Sequence, residues 1–306
     1  MATCAAVYLL TQIILQKFVV VSTIIFTSIG IKQGIATEVA PFMGRLKPLN
    51  DSTPELNLIM NRWIDEAILA SNLNSTCDEF DLRKRLLQKS GGQTWTKLEK
   101  YISNARSIEK TITSRQDSVY KDFTFFESPA IHFVSLAPTI NLSGFYVGSD
   151  KPGHFIQTGY DYYKIAIKHP DKPEKPYNWG MMTERLHLGV LTGGIFSWAD
   201  LAANHSGFLF WRGLTSPASG LVSCHEGHWT KIRAFDWSEY VNASWDEMIN
   251  CNDYASQKMR KKVEHNLSMF GSQCPESRAI CQQLFKDQGE PITSKILHPS
   301  CRISED

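Results

Sequence analysis

Glu184 stands in the stretch MTERLHLGVLTGGIFSWADLAANHSGFLFWRGL (182–214), on a short helical pattern that leads into a glycine-rich turn and then an apolar helix. Cleavage of a glycosidic bond needs a carboxylic acid kept protonated near neutral pH, and a half-buried glutamate at a helix end facing a groove has that environment. The plainer reading is an exposed helix charge, the usual fate of a glutamate. The turn that follows, with Thr192, lets a sugar ring approach the backbone, and the next helix supplies a far wall. Ser197 and Asp200 form an S-x-x-D pattern that caps this helix for about 1 kcal/mol. Asp200 also lies beside the turn, where it can bind substrate. In GSDKPGHF, Asp150, Lys151 and His154 gather at another helix start, which Asp150 can cap. His154, Gln157 and Asp161 fall on one face of that helix and can line a polar groove. Tyr160, Tyr162, Tyr163, Trp198 and Trp211 offer planes for stacking on sugars, although most aromatic side chains serve the core.

Two metal readings are weaker. His154, His187 and Glu184 lack the spacing of a metal-binding helix, and Cys224 to His228 (CHEGH) alternates like a strand and turn with no second ligand cluster. The expectation is no metal site and no cofactor.

These residues need elements to position them. From Thr53 to Asn72 the apolar residues recur at three and four, with a threonine cap and Pro54 at the first helical position. Further helices are predicted over 78–88 and 94–113, completing an N-terminal helical unit (53–115). A hairpin is expected at INLSGFYVGSD, a helix over 154–168, a short helix around Glu184 ending at Gly189, and the helix that starts at Trp198. A hairpin around Gly227 leads into a helix capped near Asp236 or Ser238, with Tyr240, Val241, Trp245 and Met248 inward. One more helix is placed over 277–285, within a core domain spanning 116–285, and 286–306 reads as a tail. The fold class is mainly α with one or two small β-hairpins.

The chain of 306 residues is 42% hydrophobic, enough for a sizeable core. With 32 basic and 31 acidic side chains its net charge is +1, so no bulk field exists to hold nucleic acid or an anionic membrane. KFVVVSTIIFTSIGI (17–31), followed by Gly34 and Ala36, reads as a secretory signal over 1–36. A membrane anchor over 8–31 is interrupted by Gln12, Gln16 and Lys17, so no stable membrane insertion is expected after cleavage. Export makes disulfides the default for Cys77, Cys224, Cys251, Cys274, Cys281 and Cys301, with about fifteen pairings open.

FFESPAIHF, APTINLSGFYVGSDKPGHF, TGGIFSWADLAANHSGFLFW and FDWSEYVNASWDEMINC, in that order, resemble a group of exported, mostly uncharacterised bacterial proteins that includes a predatory-bacterium lysozyme acting on deacetylated peptidoglycan. The similarity spans about residues 54–254. It implies a lysozyme-like helical fold, a periplasmic or secreted location, and cleavage of peptidoglycan or a related polysaccharide, with Glu184 as the acid. The family often has tyrosine where this chain has Trp198, which supplies no phenolic hydroxyl. A deacetylated sugar carries an ammonium, for which Asp150, Asp161 and Asp200 are the candidate partners. No second acid stands in a nucleophile position, so Thr192 or Ser197 is expected to place an attacking water. The alternatives are a non-catalytic, disulfide-stapled envelope protein that binds glycan or protein, and a metal-dependent hydrolase.

Overall fold

The computed structural model describes residues 42–92, 95–185 and 190–302. The signal segment, His187 and Gly189 lie outside the described residues. The architecture is mainly α, with three two-stranded antiparallel sheets among the described residues.

Helix α1 (Thr53–Ser71) buries Leu56, Ile59, Met60, Ile64, Ala67 and Ile68 along one stripe. Thr53 is its first residue rather than its cap: the N-cap position is Ser52, which makes no side-chain cap bond, and Asp51 Oδ1 just before it accepts from the Thr53 backbone N–H at 3.0 Å. In α2 (Glu79–Ser90), Asp78 accepts from the backbone N–H groups of Phe80 and Asp81. Helix α3 (Lys97–Asn104) opens on a capping box between Thr96 and Glu99. It stops at Asn104 instead of running to 113. Lys110 Nζ donates to the last-turn carbonyls of Ile102 and Ala105, both at 2.7 Å. Beyond it, Thr111 exchanges backbone hydrogen bonds with Thr139, so strand pairing replaces helix. Helices α1 to α3 do not pack alone, because Leu56, Met60, Leu86 and Ile102 share one core cluster with Phe155 and Trp211.

Strands β1 (Thr139–Leu142) and β2 (Phe145–Gly148) form the expected hairpin. Its two turn residues, Ser143 and Gly144, have φ of 56° and 85°, the left-handed pair that a two-residue hairpin turn requires. Helix α4 (Lys151–Lys168) and α5 (Lys175–Thr183) follow, then β3 (Ile195–Phe196) and α6 (Trp198–Gly213). A second hairpin, β4 (Val222–His225) and β5 (His228–Lys231), turns at Glu226 and Gly227. Strand β6 (Asp253–Tyr254) pairs with β3. Helices α7 (Gln257–Ser268) and α8 (Arg278–Gln288) complete the chain together with a one-turn helix, Thr293–Ile296.

The helix expected after Asp236 is replaced by two 3-10 turns, Trp237–Glu239 and Ala243–Trp245. Asp236, Asn242 and Asp246 each accept from the backbone N–H two residues on, at 3.0, 2.9 and 2.9 Å, and these local bonds compete with an α-helix. Of the four expected inward residues, Val241, Trp245 and Met248 are buried, and Tyr240 is partly buried against the core. Residues 286–302 are no loose tail, since Ile296, Leu297 and Cys301 are buried in the main core.

The packing centre is the crossing of α4 over α6. A Cβ on Gly159 would lie 2.6 Å from Gly207 Cα, and one on Gly207 would lie 1.9 Å from the Phe155 carbonyl oxygen. The two backbones therefore touch at a point where only glycine fits. Phe155 extends this contact into an aromatic cluster with Phe210, Trp237, Tyr240 and Trp245, and Trp211 Nε1 donates to Ile156 O at 2.9 Å. We predict that Gly207→Ala lowers stability by about 3 kcal/mol, because the clash is with backbone and rotamer changes cannot relieve it. The intrinsic helix gain of alanine, about 1 kcal/mol, opposes but does not cancel this. Urea unfolding should show a lower midpoint at unchanged slope, and an unshifted midpoint would contradict the backbone contact.

Three disulfides link Cys77 to Cys224, Cys251 to Cys274, and Cys281 to Cys301. The first ties the loop before α2 to the second hairpin. It also removes Cys224 from metal chemistry, and the neighbouring His225 and His228 lie exposed on that hairpin. Such bonding is expected of an oxidising compartment. No helix among the described residues is long and apolar enough to cross a membrane.

Candidate functional site

Asp150, the residue before α4, and Asp200, in the first turn of α6, are brought together by the α4–α6 crossing. Between them lies Lys151, fully buried, with its ammonium 2.8 Å from Asp150 Oδ2, 2.5 Å from Asp200 Oδ1 and 2.8 Å from Glu247 Oε1. Asp150 therefore does not cap α4; its carboxylate is turned to the lysine, and no side-chain cap bond forms there. Ser197 does cap α6, accepting from the Asp200 backbone N–H at 3.2 Å. Asp200 itself is 0% exposed and serves the ion cluster rather than an open groove.

His154, one turn after Asp150, completes the cluster. Its Nε2 is 3.4 Å from Asp200 Oδ2, and its Nδ1 is 3.1 Å from Asn204 Oδ1. Glu247 Oε2 accepts from Asn252 Nδ2 at 2.8 Å. Burial pushes the Glu247 carboxyl up to about 7, against the pull of Lys151. Burial also raises Asp150. Burial works the same way on Asp200, yet His154 and Lys151 together hold that carboxyl below its ordinary range. Glu99 packs against Gly153 beside this cluster, and burial takes its carboxyl to about 7 as well.

The other residues singled out from the sequence scatter. Asp161 pairs with Lys164 Nζ at 2.8 Å on partly exposed helix surface and is no member of the cluster. Trp198 is not a sugar platform: it is buried, its Nε1 donates to Asp253 Oδ2 at 2.9 Å, and the Arg302 guanidinium covers its ring at 4.9 Å. Thr192 is partly exposed on the one-turn helix Val190–Gly193.

Glu184 is the C-cap of α5, where the helix widens into a π-turn over 184–185, and it is only 3% exposed. Helix α5 docks on α4 and α6 through tyrosines. A Cβ on Gly180 would lie 1.8 Å from the Tyr162 hydroxyl, so glycine makes room for that phenol. Burial raises the Tyr162 pKa, and Glu184 is among the groups that raise it further. Glu184 thus lies close to the buried face of α4.

Alongside, the Tyr177 hydroxyl meets His205 Nδ1 at 2.8 Å. Burial, with help from Arg212, lowers the His205 pKa to about 4. The unfolded chain then binds a proton that the folded chain refuses between about pH 6.5 and 4. The stability from neutral His205 is present above pH 6.5 and is lost as pH falls through that window, by up to about 3 kcal/mol. His205→Gln should flatten the fall in melting temperature between pH 7 and pH 4; an unchanged pH profile would refute this assignment.

Sequence reasoning missed Glu247, Asn204 and Glu99, and gave Lys151 no role. The available signal was Lys151 itself, a cation placed between a capping position and an apolar helix. Comparison of the chain with protein-family models, curated proteins and solved structures finds no match.

Proposed function

We propose that the protein is an exported glycoside hydrolase that cleaves peptidoglycan glycan strands, with Glu184 as general acid. The observation that carries this reading is the position of Glu184, almost wholly buried at the C-terminal end of α5 and followed by the turn that leads to β3 and α6. Burial and the negative end of a helix both favour the neutral, proton-donating carboxyl. The order of acid, turn and helix is the one that the resemblance carried by the four motifs implies for a lysozyme-like domain, although the strand before α6 pairs with a segment after it rather than in a hairpin. Three disulfides suit a periplasmic or secreted enzyme.

In this reading Glu184 gives its proton to the glycosidic oxygen as the bond to the anomeric carbon breaks, water adds to that carbon, and the proton the water sheds passes through solvent to restore the Glu184 carboxyl. Ser197 already caps α6, which leaves Thr192 to place the water. Asp150 and Asp200 hold the buried ammonium of Lys151 and Asp161 holds that of Lys164, so none of the three is left over for the ammonium of a deacetylated sugar. The test is digestion of purified cell wall by the mature protein. Soluble muropeptides are the expected product, whereas binding to the wall with no soluble fragments and no new reducing ends would replace this reading with the envelope-binding one.

A further inference from the structure

The α4–α6 crossing carries a second, independent site. Lys151 takes one oxygen from each of two carboxylates, Oδ2 of Asp150 and Oδ1 of Asp200. The other two oxygens remain. Asp150 Oδ1 is buried and has no hydrogen-bond partner, and Asp200 Oδ2 faces His154 Nε2 at 3.4 Å. Asp150, His154 and Asp200 each present one donor atom, all within 4.8 Å of one another.

Two features distinguish this set from a mere acidic cluster. First, one donor is an imidazole nitrogen whose orientation is fixed from behind. His154 Nδ1 is committed to Asn204 Oδ1, so in the neutral ring Nδ1 carries the hydrogen and Nε2 turns its lone pair toward Asp200. That approach of 3.4 Å between Nε2 and a carboxylate oxygen calls for a cation between them, either a metal ion or a proton on Nε2. A ligand–ligand separation near 3.3 Å is what donors about 2.0 Å from a tetrahedral ion give. Second, three carboxylates, Asp150, Asp200 and Glu247, face the single ammonium of Lys151, and His154 answers one of them only when its ring carries a proton. A buried excess of negative charge calls for a counter-cation or for protons.

We propose that Asp150, His154 and Asp200 bind a divalent transition-metal cation, zinc foremost, as an internal ion joining the N-terminal ends of α4 and α6. Nitrogen and carboxylate donors suit zinc, and Asn204 is its outer support. His154 is 7% exposed and Asp200 is 0%, so the ion enters on folding or exchanges slowly. Its role is to hold the helix crossing, and the proposal stands whether or not Glu184 is catalytic.

The test uses the full mature chain with disulfides intact, refolded with zinc chloride, dialysed, and analysed for metal. One zinc per chain is expected, with a melting temperature about 5 °C or more above chelator-treated protein. His154→Ala should lose the zinc and the shift, while the double variant His225→Ala, His228→Ala should keep both. Should His154→Ala fail to fold, Asn204→Ala serves instead, with an expected loss of affinity of about 10-fold or more. Wild-type protein with far less than one zinc per chain and a melting temperature indifferent to zinc and chelator would overturn the proposal, and a proton would then be the cation between His154 and Asp200. Zinc retained by both His154→Ala and Asn204→Ala, or lost by the hairpin double variant, would overturn it equally.

Discussion

Lys151→Met should cost about 3–5 kcal/mol, the penalty for removing one partner from a buried ionic group. The substitution keeps the length and apolar stem of the side chain but leaves Asp150, Asp200 and Glu247 facing one another without the ammonium. Against a total stability of roughly 5–15 kcal/mol, the loss is large enough to leave part of the protein unfolded at 37 °C. The two-site variant Lys151→Met, Glu247→Gln should be more stable than Lys151→Met alone, because it removes one of the stranded charges. The same glutamine in the wild-type background breaks a satisfied contact and should destabilise. This reversal of sign is the mark of direct coupling. Urea unfolding of the four proteins measures it; additive effects, or a lone methionine within about 1 kcal/mol of wild type, would show that the lysine does not neutralise the cluster.

Glu184→Gln should fold and lose cleavage by about 10²–10⁴-fold, the range for removal of a general acid. Glutamine fills the same space in the buried pocket at the end of α5 but cannot give up a proton. Its melting temperature should stay close to that of wild type, which separates lost chemistry from lost fold. Binding to the wall should persist. Undiminished cleavage would remove Glu184 from the chemistry.

The local elements of this fold are written in short-range pattern. The apolar stripe of α1, the positive-φ turns at Ser143–Gly144 and Glu226–Gly227, and the serine cap of α6 all read directly. Helix α7 escaped because its buried stripe is one residue per turn, Met259, Val263 and Leu267, set among lysines and arginine. The segment after Asp236 misled because its apolar spacing is helical while its Asx side chains bind the backbone in 3-10 turns. The charge cluster was beyond local reading: its members come from positions 150, 151, 154, 200 and 247, which meet only where α4 crosses α6 and the segment after the Ala243–Trp245 turn folds back onto them. Asp150, His154 and Asp200 stood out in the sequence as polar residues at helix starts. Their tie to Lys151, and the burial that turns them inward, belong to the tertiary structure.

Placement of Glu184 at a helix end was legible in the same way, and its burial was not. The most direct measurement is the count of new reducing ends when mature protein meets purified peptidoglycan, native and chemically deacetylated, with Glu184→Gln alongside. The account predicts reducing ends that accumulate with time for wild type on at least one of the two walls and fall to background for the glutamine variant. Reducing ends at background for folded wild-type protein on both walls, or equal release by wild type and variant, would contradict it.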